Sequence, residues 1–243
     1  MQLQALLTRA AFAVAVLSSA LEAQDPPAVV TKFTADFGYV AVSGNTDVTT
    51  LSIGEKLTQS RGRLTLEQAF GIVRGELNGV ENTNLLRASI RGSYRLGAHF
   101  SSFAASAYDR NPFAGIERRF EHSAGLQFRP VASATDTLRF EGGGSATQQT
   151  AVDGTYQTFP AARAAGIWRH QFTPASYFQQ NVELIPNLKD GEDFRVNSES
   201  SLIAPISARV GIKVSYVIRY DNLPEPGFRT TDRLFTTGIQ LTR

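Results

Sequence analysis

The stretch NLLRASIRGSYRLG, residues 84–97, alternates polar and apolar side chains over most of its length. One set of alternate positions is polar and consists of Arg87, Ser89, Arg91, Ser93 and Arg95. The intervening set is mostly apolar and consists of Leu86, Ala88, Ile90, Gly92, Tyr94 and Leu96. A helix would distribute either set around its axis, whereas a strand places each set on one face. The stretch therefore predicts a long β-strand with one charged and one apolar face.

The same pattern recurs along the chain, from FGYVAVSGNTDVTTLSIGEKL (37–57) to SARVGIKVSYVIRYD (207–221). Alternation broken by turn residues such as Gly44-Asn45 predicts hairpins. It predicts twelve strands at 33–43, 47–59, 63–74, 83–96, 100–109, 118–129, 136–147, 158–172, 176–186, 194–204, 208–221 and 231–242. Several runs exceed the ~5–6 residues usual in soluble strands and suit the ~9–11 residues of a tilted membrane strand. We therefore expect an all-β, up-and-down antiparallel transmembrane barrel, closed so that no strand edge is left unpaired.

The N-terminus predicts export. A short segment with one arginine (1–9) precedes an apolar run (10–20) that is too short to span a bilayer, which is typical of a secretory signal peptide. The alternative is a buried N-terminal helix. The predicted organisation is a signal peptide at 1–23, a short periplasmic segment at 24–32 and the barrel at 33–243. The absence of cysteine excludes disulfides, thiolate metal sites and a cysteine nucleophile.

The connections also suggest an outer-membrane barrel. Those after the even-numbered strands are mostly tight, at 60–62, 97–99, 130–135, 173–175 and 205–207. Those after the third and later odd-numbered strands are longer and polar, at 75–82, 110–117, 148–157, 187–193 and 222–230. Short turns at one end and long loops at the other are expected of a barrel with periplasmic termini. Low mean hydropathy leaves a soluble secreted barrel that binds a ligand as a less favoured alternative.

Three stretches carry a family resemblance: FGYVAVSGNTDVTTLSI (37–53), YDRNPFAGIERRFEHSAGLQFRP (108–130) and VSYVIRYDNLPEPGFRTTDRLFTTGIQLT (214–242). They resemble the salt-induced outer-membrane protein family, often carried as a domain of unknown function. The resemblance implies an outer-membrane barrel of a Gram-negative (diderm) bacterium and brings no catalytic residues. Barrels of this kind are inserted by the barrel-assembly machinery, which usually reads a terminal aromatic residue, whereas this chain ends Leu241-Thr242-Arg243.

The polar face of the strands holds the candidate functional residues. The predicted lumen-lining charges are Lys56, Arg63, Glu67, Arg87, Arg91, Arg95, Arg139, Glu141, Arg163, Arg169, Glu183, Arg209, Lys213 and Arg219. Charges inside a barrel must be paired or hydrated. They could form an ion-pair network that fills the barrel, or line a narrow pore that favours small anions. Twelve strands lie between the filled eight-stranded barrel and the open sixteen-stranded porin, so strand number leaves both open.

The sequence offers little for catalysis or cofactor binding. His122 alternates with Phe120 and Ala124 on the predicted lipid face, and no serine and acid can be matched to it. The glycine run at 141–145 lacks the lysine of a phosphate-binding loop. The acidic loop at 189–193 lacks the spacing of an EF-hand. We therefore expect no enzyme, cofactor or metal, with a lipid-modifying enzyme using His122 as the alternative.

The predicted outer-membrane location also predicts the binding partners of the barrel. Partners would be outer-membrane lipids and lipopolysaccharide, whose phosphates Arg110, Arg118 and Arg229 could contact. No nucleic acid is expected, because the arginines recur at alternate positions of many strands rather than forming one basic patch. We expect a monomer.

Overall fold

Twelve strands make up most of residues 28–42, 47–207 and 209–242, which the computed structural model describes. The strands are β1 (Val30–Val42), β2 (Val48–Arg61), β3 (Leu64–Leu77), β4 (Val80–Arg95), β5 (Phe100–Asn111), β6 (Ile116–Ala132), β7 (Asp136–Ala151), β8 (Tyr156–Thr173), β9 (Ser176–Pro186), β10 (Phe194–Pro205), β11 (Val210–Asp221) and β12 (Thr231–Thr242). A short 3₁₀ helix, Pro112–Ala114, connects β5 to β6. The predicted signal peptide and the first hairpin turn, residues 43–46, lie outside the described residues.

The strands form a closed barrel in which each pairs antiparallel with its neighbours in sequence, and β12 pairs with β1. The predicted twelve-stranded, up-and-down, all-β barrel is confirmed. β1 begins at Val30, inside the segment predicted to precede the barrel. Among the helices of the described residues, none is long and apolar enough to cross a membrane.

Three of the predicted long loops are wrong, because the strands continue through them. β3 and β4 are joined by Asn78 and Gly79 alone, both with positive φ (53° and 75°). An Asn-Gly pair suits a two-residue hairpin turn whose twist matches that of the strands. The predicted loops at 110–117 and 148–157 likewise shrink to 112–115 and 152–155.

The two ends of the barrel still differ. We call the end that carries 187–193 and the loop 222–230 the loop end, and the end where β1 begins and β12 finishes the terminal end. The remaining long connections, 187–193 and 222–230, are both at the loop end. The sequence therefore predicted the side of the longest loops correctly, but overestimated their number.

Two glycine pairs bring neighbouring strands unusually close. Gly125 of β6 lies directly opposite Gly143 of β7, and a Cβ added to Gly143 would lie 2.1 Å from the carbonyl oxygen of Ala124. Gly238 of β12 approaches Gly38 of β1 in the same way, and its added Cβ would lie 2.2 Å from the carbonyl oxygen of Phe37. These glycines face inward, so only residues without a side chain fit there.

The two pairs mark opposite seams of the barrel, since six strands, β1–β6 on one side and β7–β12 on the other, lie between them. Inward Cβ atoms crowd where a sheet bends sharply toward its concave face. We infer that the sheet curves sharply at the β6–β7 and β12–β1 seams.

Candidate functional site: an ion-paired lumen

Side chains from distant strands meet inside the barrel, which identifies its inner face. Arg91 of β4 donates to Glu141 of β7, and Arg195 of β10 donates to Glu121 of β6. Strands that are not neighbours can bring side chains together only across the interior. Strand alternation then places every second residue on the same inner face. We call the space that this face encloses the lumen.

Glu141 is the centre of a cluster in the terminal half of the lumen. Its two carboxylate oxygens accept bonds from Arg91 (2.8 Å) and Arg163 (2.8 Å), and its side chain is only 2% exposed. Arg163 also pairs with Glu183 at 2.7 Å. The Arg91 guanidinium stacks on the Phe103 ring, 4.1 Å from the ring centre. This cluster ties β4, β5, β7, β8 and β9 together and closes much of the lumen at its level.

Two further ion pairs lie nearer the loop end. Arg195 contacts Glu121 at 3.1 Å, and Arg119 contacts Asp221 at 3.7 Å. The Arg119 Nε also donates to Gln149 at 2.6 Å. These contacts join β6 to β10 and to β11, which lie across the lumen from it. The loop half is therefore also narrowed by paired charges.

Arg219 of β11 and Asp109 of β5 form an ion pair at 3.3 Å between opposite walls. Twelve strands about 4.8 Å apart and tilted by about 40° would form a round barrel roughly 24 Å wide. An arginine and an aspartate extended toward each other bridge only about half of that width. The pair therefore requires β5 and β11 to lie closer together than they would in a round barrel of twelve strands.

The β1 side of the lumen holds two more pairs. Lys213 of β11 donates to Asp36 of β1 at 2.6 Å, and Gln240 of the intervening β12 donates to the other Asp36 oxygen at 2.9 Å. Lys56 pairs with Glu67 at 3.3 Å on the neighbouring strands β2 and β3. The contacts around Asp36 reinforce the seam where the barrel closes.

A cavity with about 70 Å³ of water-accessible volume, open to solvent, lies at the loop end. The strand arginines that line it are Arg87, Arg119, Arg195 and Arg219, with Arg229 contributed by the β11–β12 loop. Its carboxylates are Asp109, Glu121, Asp221 and Asp232. The cavity at the mouth of the barrel is therefore lined by five arginines and four carboxylates.

Arg87 differs from the other strand arginines of this cavity. It faces inward by strand alternation, remains exposed, and makes no hydrogen bond or ion pair with the residues that the structure describes. Arg119, Arg195 and Arg219 each contact a carboxylate. Arg87 therefore offers the cavity a guanidinium that makes no hydrogen bond with the described residues, although the carboxylates of Asp109, Glu121, Glu183 and Glu199 lie near enough to interact with its charge.

The β11–β12 loop, residues 222–230, folds over the mouth of the lumen. Inward-facing Gln149 of β7 donates to Glu225 of this loop at 2.7 Å. Asn222 donates to the carbonyl of Glu192 in the β9–β10 loop at 2.7 Å. At the β5–β6 turn, a Cβ on Gly115 would lie 2.8 Å from Glu225 and 2.9 Å from Phe228. The loop therefore packs against three other elements and restricts entry.

The structure places most of the predicted lumen residues on inner faces. The inward-facing ones are Lys56, Glu67, Arg87, Arg91, Arg95, Arg139, Glu141, Arg163, Arg169, Glu183, Lys213 and Arg219. Arg63 and Arg209 are corrections: they lie in the turns before β3 and β11, because those strands begin one residue later than each arginine. Arg95 lies at the terminal rim, bonded to the carbonyl of Gly62, and Arg169 stacks on Tyr177.

Ion pairs near the loop end involve four residues that were not predicted to line the lumen: Asp109, Arg119, Arg195 and Asp221. Arg119 lies two residues before inward-facing Glu121 on the same strand, so strand alternation could have predicted that Arg119 also faces inward. Asp109 and Arg195 lie on the two strands whose facing the sequence leaves least defined, and Asp221 lies at a strand end. Pattern alone therefore missed much of the loop-end cavity.

The histidines lie outside the lumen or at its rim. His122 faces outward, as predicted, and its Nδ1 is 3.0 Å from the Ser106 Oγ on the adjacent strand. His170 faces outward near the terminal end and contacts Asp136 at 2.9 Å. His99 bonds the carbonyl of Arg129 in a turn. Across the described residues no group of three or more histidine and acidic side chains is arranged to hold a metal ion.

Comparison with known proteins supports the fold. A family model described as protein of unknown function, DUF481, matches residues 35–242. The uncharacterized protein YdiY of Escherichia coli K12 is 26% identical over 204 residues, covering 83% of this chain and 79% of its own.

Two solved structures are similar in architecture. The NanC porin has a TM-score of 0.51 at 9% identity, covering 86% of this chain and 98% of its own. The COG4313 outer membrane channel of Pseudomonas putida F1 has a TM-score of 0.51 at 12% identity, covering 94% and 99%. At these identities the likeness concerns the fold, which is that of outer-membrane barrels.

Proposed function

The chain belongs to the DUF481 family of proteins of unknown function, and on that premise we propose a narrow, cation-lined passage for small anions in a bacterial outer membrane. The closed barrel and its likeness to outer-membrane barrels support the location. The proposal includes export through the signal peptide and insertion as a monomer by the barrel-assembly machinery.

Arg87 is the observation that carries the proposal. Its guanidinium lies in the loop-end cavity, exposed, and without an ion-pair partner among the described residues. A free guanidinium presents several N–H donors to a carboxylate or phosphate. The desolvation cost of a guanidinium without an ion-pair partner is lowest where water hydrates it. Arg87 therefore suits a water-filled cavity better than a filled core.

The balance of inward charges agrees with this preference. Among the inward-facing strand residues that the structure describes, the basic ones outnumber the acidic ones. The basic residues are Lys32, Lys56, Arg87, Arg91, Arg95, Arg119, Arg129, Arg139, Arg163, Arg169, Arg195, Lys213 and Arg219. The acidic residues are Asp36, Glu67, Asp109, Glu121, Glu141, Glu183, Glu199, Asp221 and Asp232. A lumen with excess positive charge attracts anions and repels cations.

The cross-lumen ion pairs limit the size of the solute. The Glu141 cluster and the Arg219–Asp109 pair occupy space that an open porin would leave to water. The solute class is therefore small inorganic or organic anions rather than oligomers.

The direct experiment measures single-channel conductance of the refolded protein in a planar bilayer under a salt gradient. Discrete current steps with a reversal potential on the anion side support the proposal. A heat-modifiable barrel that conducts nothing would reject it and leave the charges as a structural network.

A second candidate, a lipid-modifying enzyme, is favoured by the outward Ser106–His122 contact of 3.0 Å. Serine hydrolysis needs a base beside the hydroxyl, and this pair lies where lipids would contact it. Hydrolysis of phospholipid by the wild-type protein, lost in both Ser106→Ala and His122→Ala, would support this candidate. No turnover by wild-type protein would reject it.

The remaining proposals concern contacts of the barrel with the bacterial outer membrane and a role in salt stress. Outward Arg118 bonds Thr150, and outward Arg110 pairs with Glu117, near the loop end, where lipopolysaccharide phosphates would lie. We propose these arginines as lipopolysaccharide contacts. A role in salt stress, implied by the family resemblance, predicts that a deletion strain grows more slowly than its parent at high salt.

A further inference from the structure

The closing seam of the barrel is paired over only part of its length. β1 and β12 share four residue pairs, from Thr34–Thr242 to Phe37–Ile239. β1 pairs with β2 from Val30 to Val42, and β12 pairs with β11 from Thr231 to Leu241. Toward the loop end, Gly38–Val42 and Thr231–Gly238 therefore each have a strand partner on one side only.

The seam loses its pairing just past the inner glycines. A Cβ on Gly38 would lie 2.5 Å from the carbonyl oxygen of Thr237, so the strands still touch at that level. Continuing the register would place Tyr39 opposite Thr237 and Val40 opposite Thr236, but no ladder forms there. Backbone groups left unpaired in hydrocarbon are costly, so such a gap is tolerated where it is covered by protein or borders a water-filled cavity. The lumen provides that border.

Apolar side chains flank the gap on its membrane side. Phe37, Tyr39 and Phe235 are 54%, 59% and 64% exposed, among the highest values for large outward residues of the strands. These residues belong to the lipid-facing surface of the barrel. The surface therefore continues up to the edge of the gap.

The inner side of the gap is less polar than the rest of the lumen, although Thr236 faces inward opposite Val40 and Asp232 faces inward nearer the loop end. Val40 of β1 faces inward by alternation with Asp36, yet it is 41% exposed. Leu234 of β12 and Val217 of β11 form a cross-strand pair on the same inner face. No charged residue occupies these three positions, whereas the other walls present arginines and carboxylates. An apolar strip thus runs from the lipid-facing surface through the gap into the lumen.

We propose that the loop-end half of the β1–β12 seam is a lateral portal that admits one hydrocarbon chain of a membrane lipid into this apolar corner. The occupant follows from continuity: the strip extends the surface that already contacts acyl chains, and it carries no group that would hold a charged ligand. This portal is distinct from the anion passage, and neither depends on the other.

Tryptophan quenching by lipid tests the portal. Trp168 is the single tryptophan of the chain, so Trp168→Phe gives a silent background. Three single variants are made in this background. Val40→Trp probes the portal and Tyr39→Trp probes the outer surface. Phe103→Trp probes the inner wall of β5, where Phe103 is only 5% exposed. Each variant is reconstituted in vesicles of phosphatidylcholine brominated on one acyl chain.

We expect Val40→Trp to lose most of its emission, as Tyr39→Trp does, while Phe103→Trp keeps its emission. Water alone in the gap, or a strand of a second copy, would leave Val40→Trp as bright as Phe103→Trp and overturn the proposal. Heat-modifiable migration identifies the variants that have folded.

Cysteine pairs provide a second test, because the chain has no cysteine of its own. Thr34→Cys with Thr242→Cys marks an existing ladder pair, and Val40→Cys with Thr236→Cys marks the matching position six residues further along the seam. Under mild oxidation the first pair should form a disulfide and the second should not. Equal disulfide formation at both positions would contradict an open seam.

Discussion

Arg219 and Asp109 form an ion pair at 3.3 Å across the lumen, although five strands separate β11 from β5 in either direction. The contact requires β5 and β11 to lie closer together than they would in a round barrel of twelve strands, so the cross-section of the barrel departs from a circle. Barrel shape and lumen charge are therefore coupled. Substitutions at the seams should alter the passage, and substitutions in the passage should alter stability.

Replacing Asp109 by asparagine removes the carboxylate that Arg219 contacts. We expect stronger anion preference, because an uncompensated guanidinium remains in the cavity. We also expect a loss of about 1–3 kcal/mol in the free energy of unfolding, the usual cost of an unsatisfied charged partner. Reversal potentials and urea unfolding in vesicles measure the two effects. Asp153→Asn, in the exposed β7–β8 loop, is the matched control, and equal behaviour of the two variants would refute the role of the pair.

The glycine seam gives a prediction with an internal control. Gly143→Ala places a Cβ within 2.1 Å of a carbonyl oxygen, whereas Gly142→Ala, on the outer face, meets nothing within 4 Å. Overpacking of this kind typically costs 1–3 kcal/mol, so we expect about that loss of stability for Gly143→Ala. Thermal unfolding followed by heat-modifiable migration should separate the two variants. Equal stability would show that the seam is not tightly packed.

The lid-like contact of the β11–β12 loop predicts a change in conductance. Glu225→Ala removes the acceptor of the Gln149 bond and loosens the loop over the mouth. Single-channel conductance should rise. Glu192→Ala makes the same change of charge in the β9–β10 loop and should leave conductance near the wild-type value. If both variants raise conductance alike, charge rather than the loop contact controls entry.

Alternation predicted the strands and their facing because membrane and lumen impose opposite chemistries on successive residues. Arg87, Arg91 and Arg95 look equivalent in the sequence, but the structure gives them different surroundings. Arg91 is held by Glu141, Arg95 bonds the Gly62 carbonyl at the rim, and Arg87 lies in the cavity without a hydrogen bond or ion pair to the described residues.

The differences could not be predicted from one sequence, because they depend on which strands face each other across the lumen. At the Asn78–Gly79 turn the local sequence allowed two interpretations. Its dipeptide favours a tight hairpin, but the polar residues around it, which extend the strands, are also typical of a loop.

The measurement that tests the central claim most directly is the reversal potential of Arg87→Glu in a planar bilayer under a salt gradient. Arg118→Glu makes the same change of charge on the outer face and serves as the control. If the guanidinium of Arg87 attracts anions, the reversal potential of Arg87→Glu shifts toward the cation side while Arg118→Glu keeps the wild-type value. An unchanged reversal potential in Arg87→Glu would contradict a cation-lined passage through this cavity.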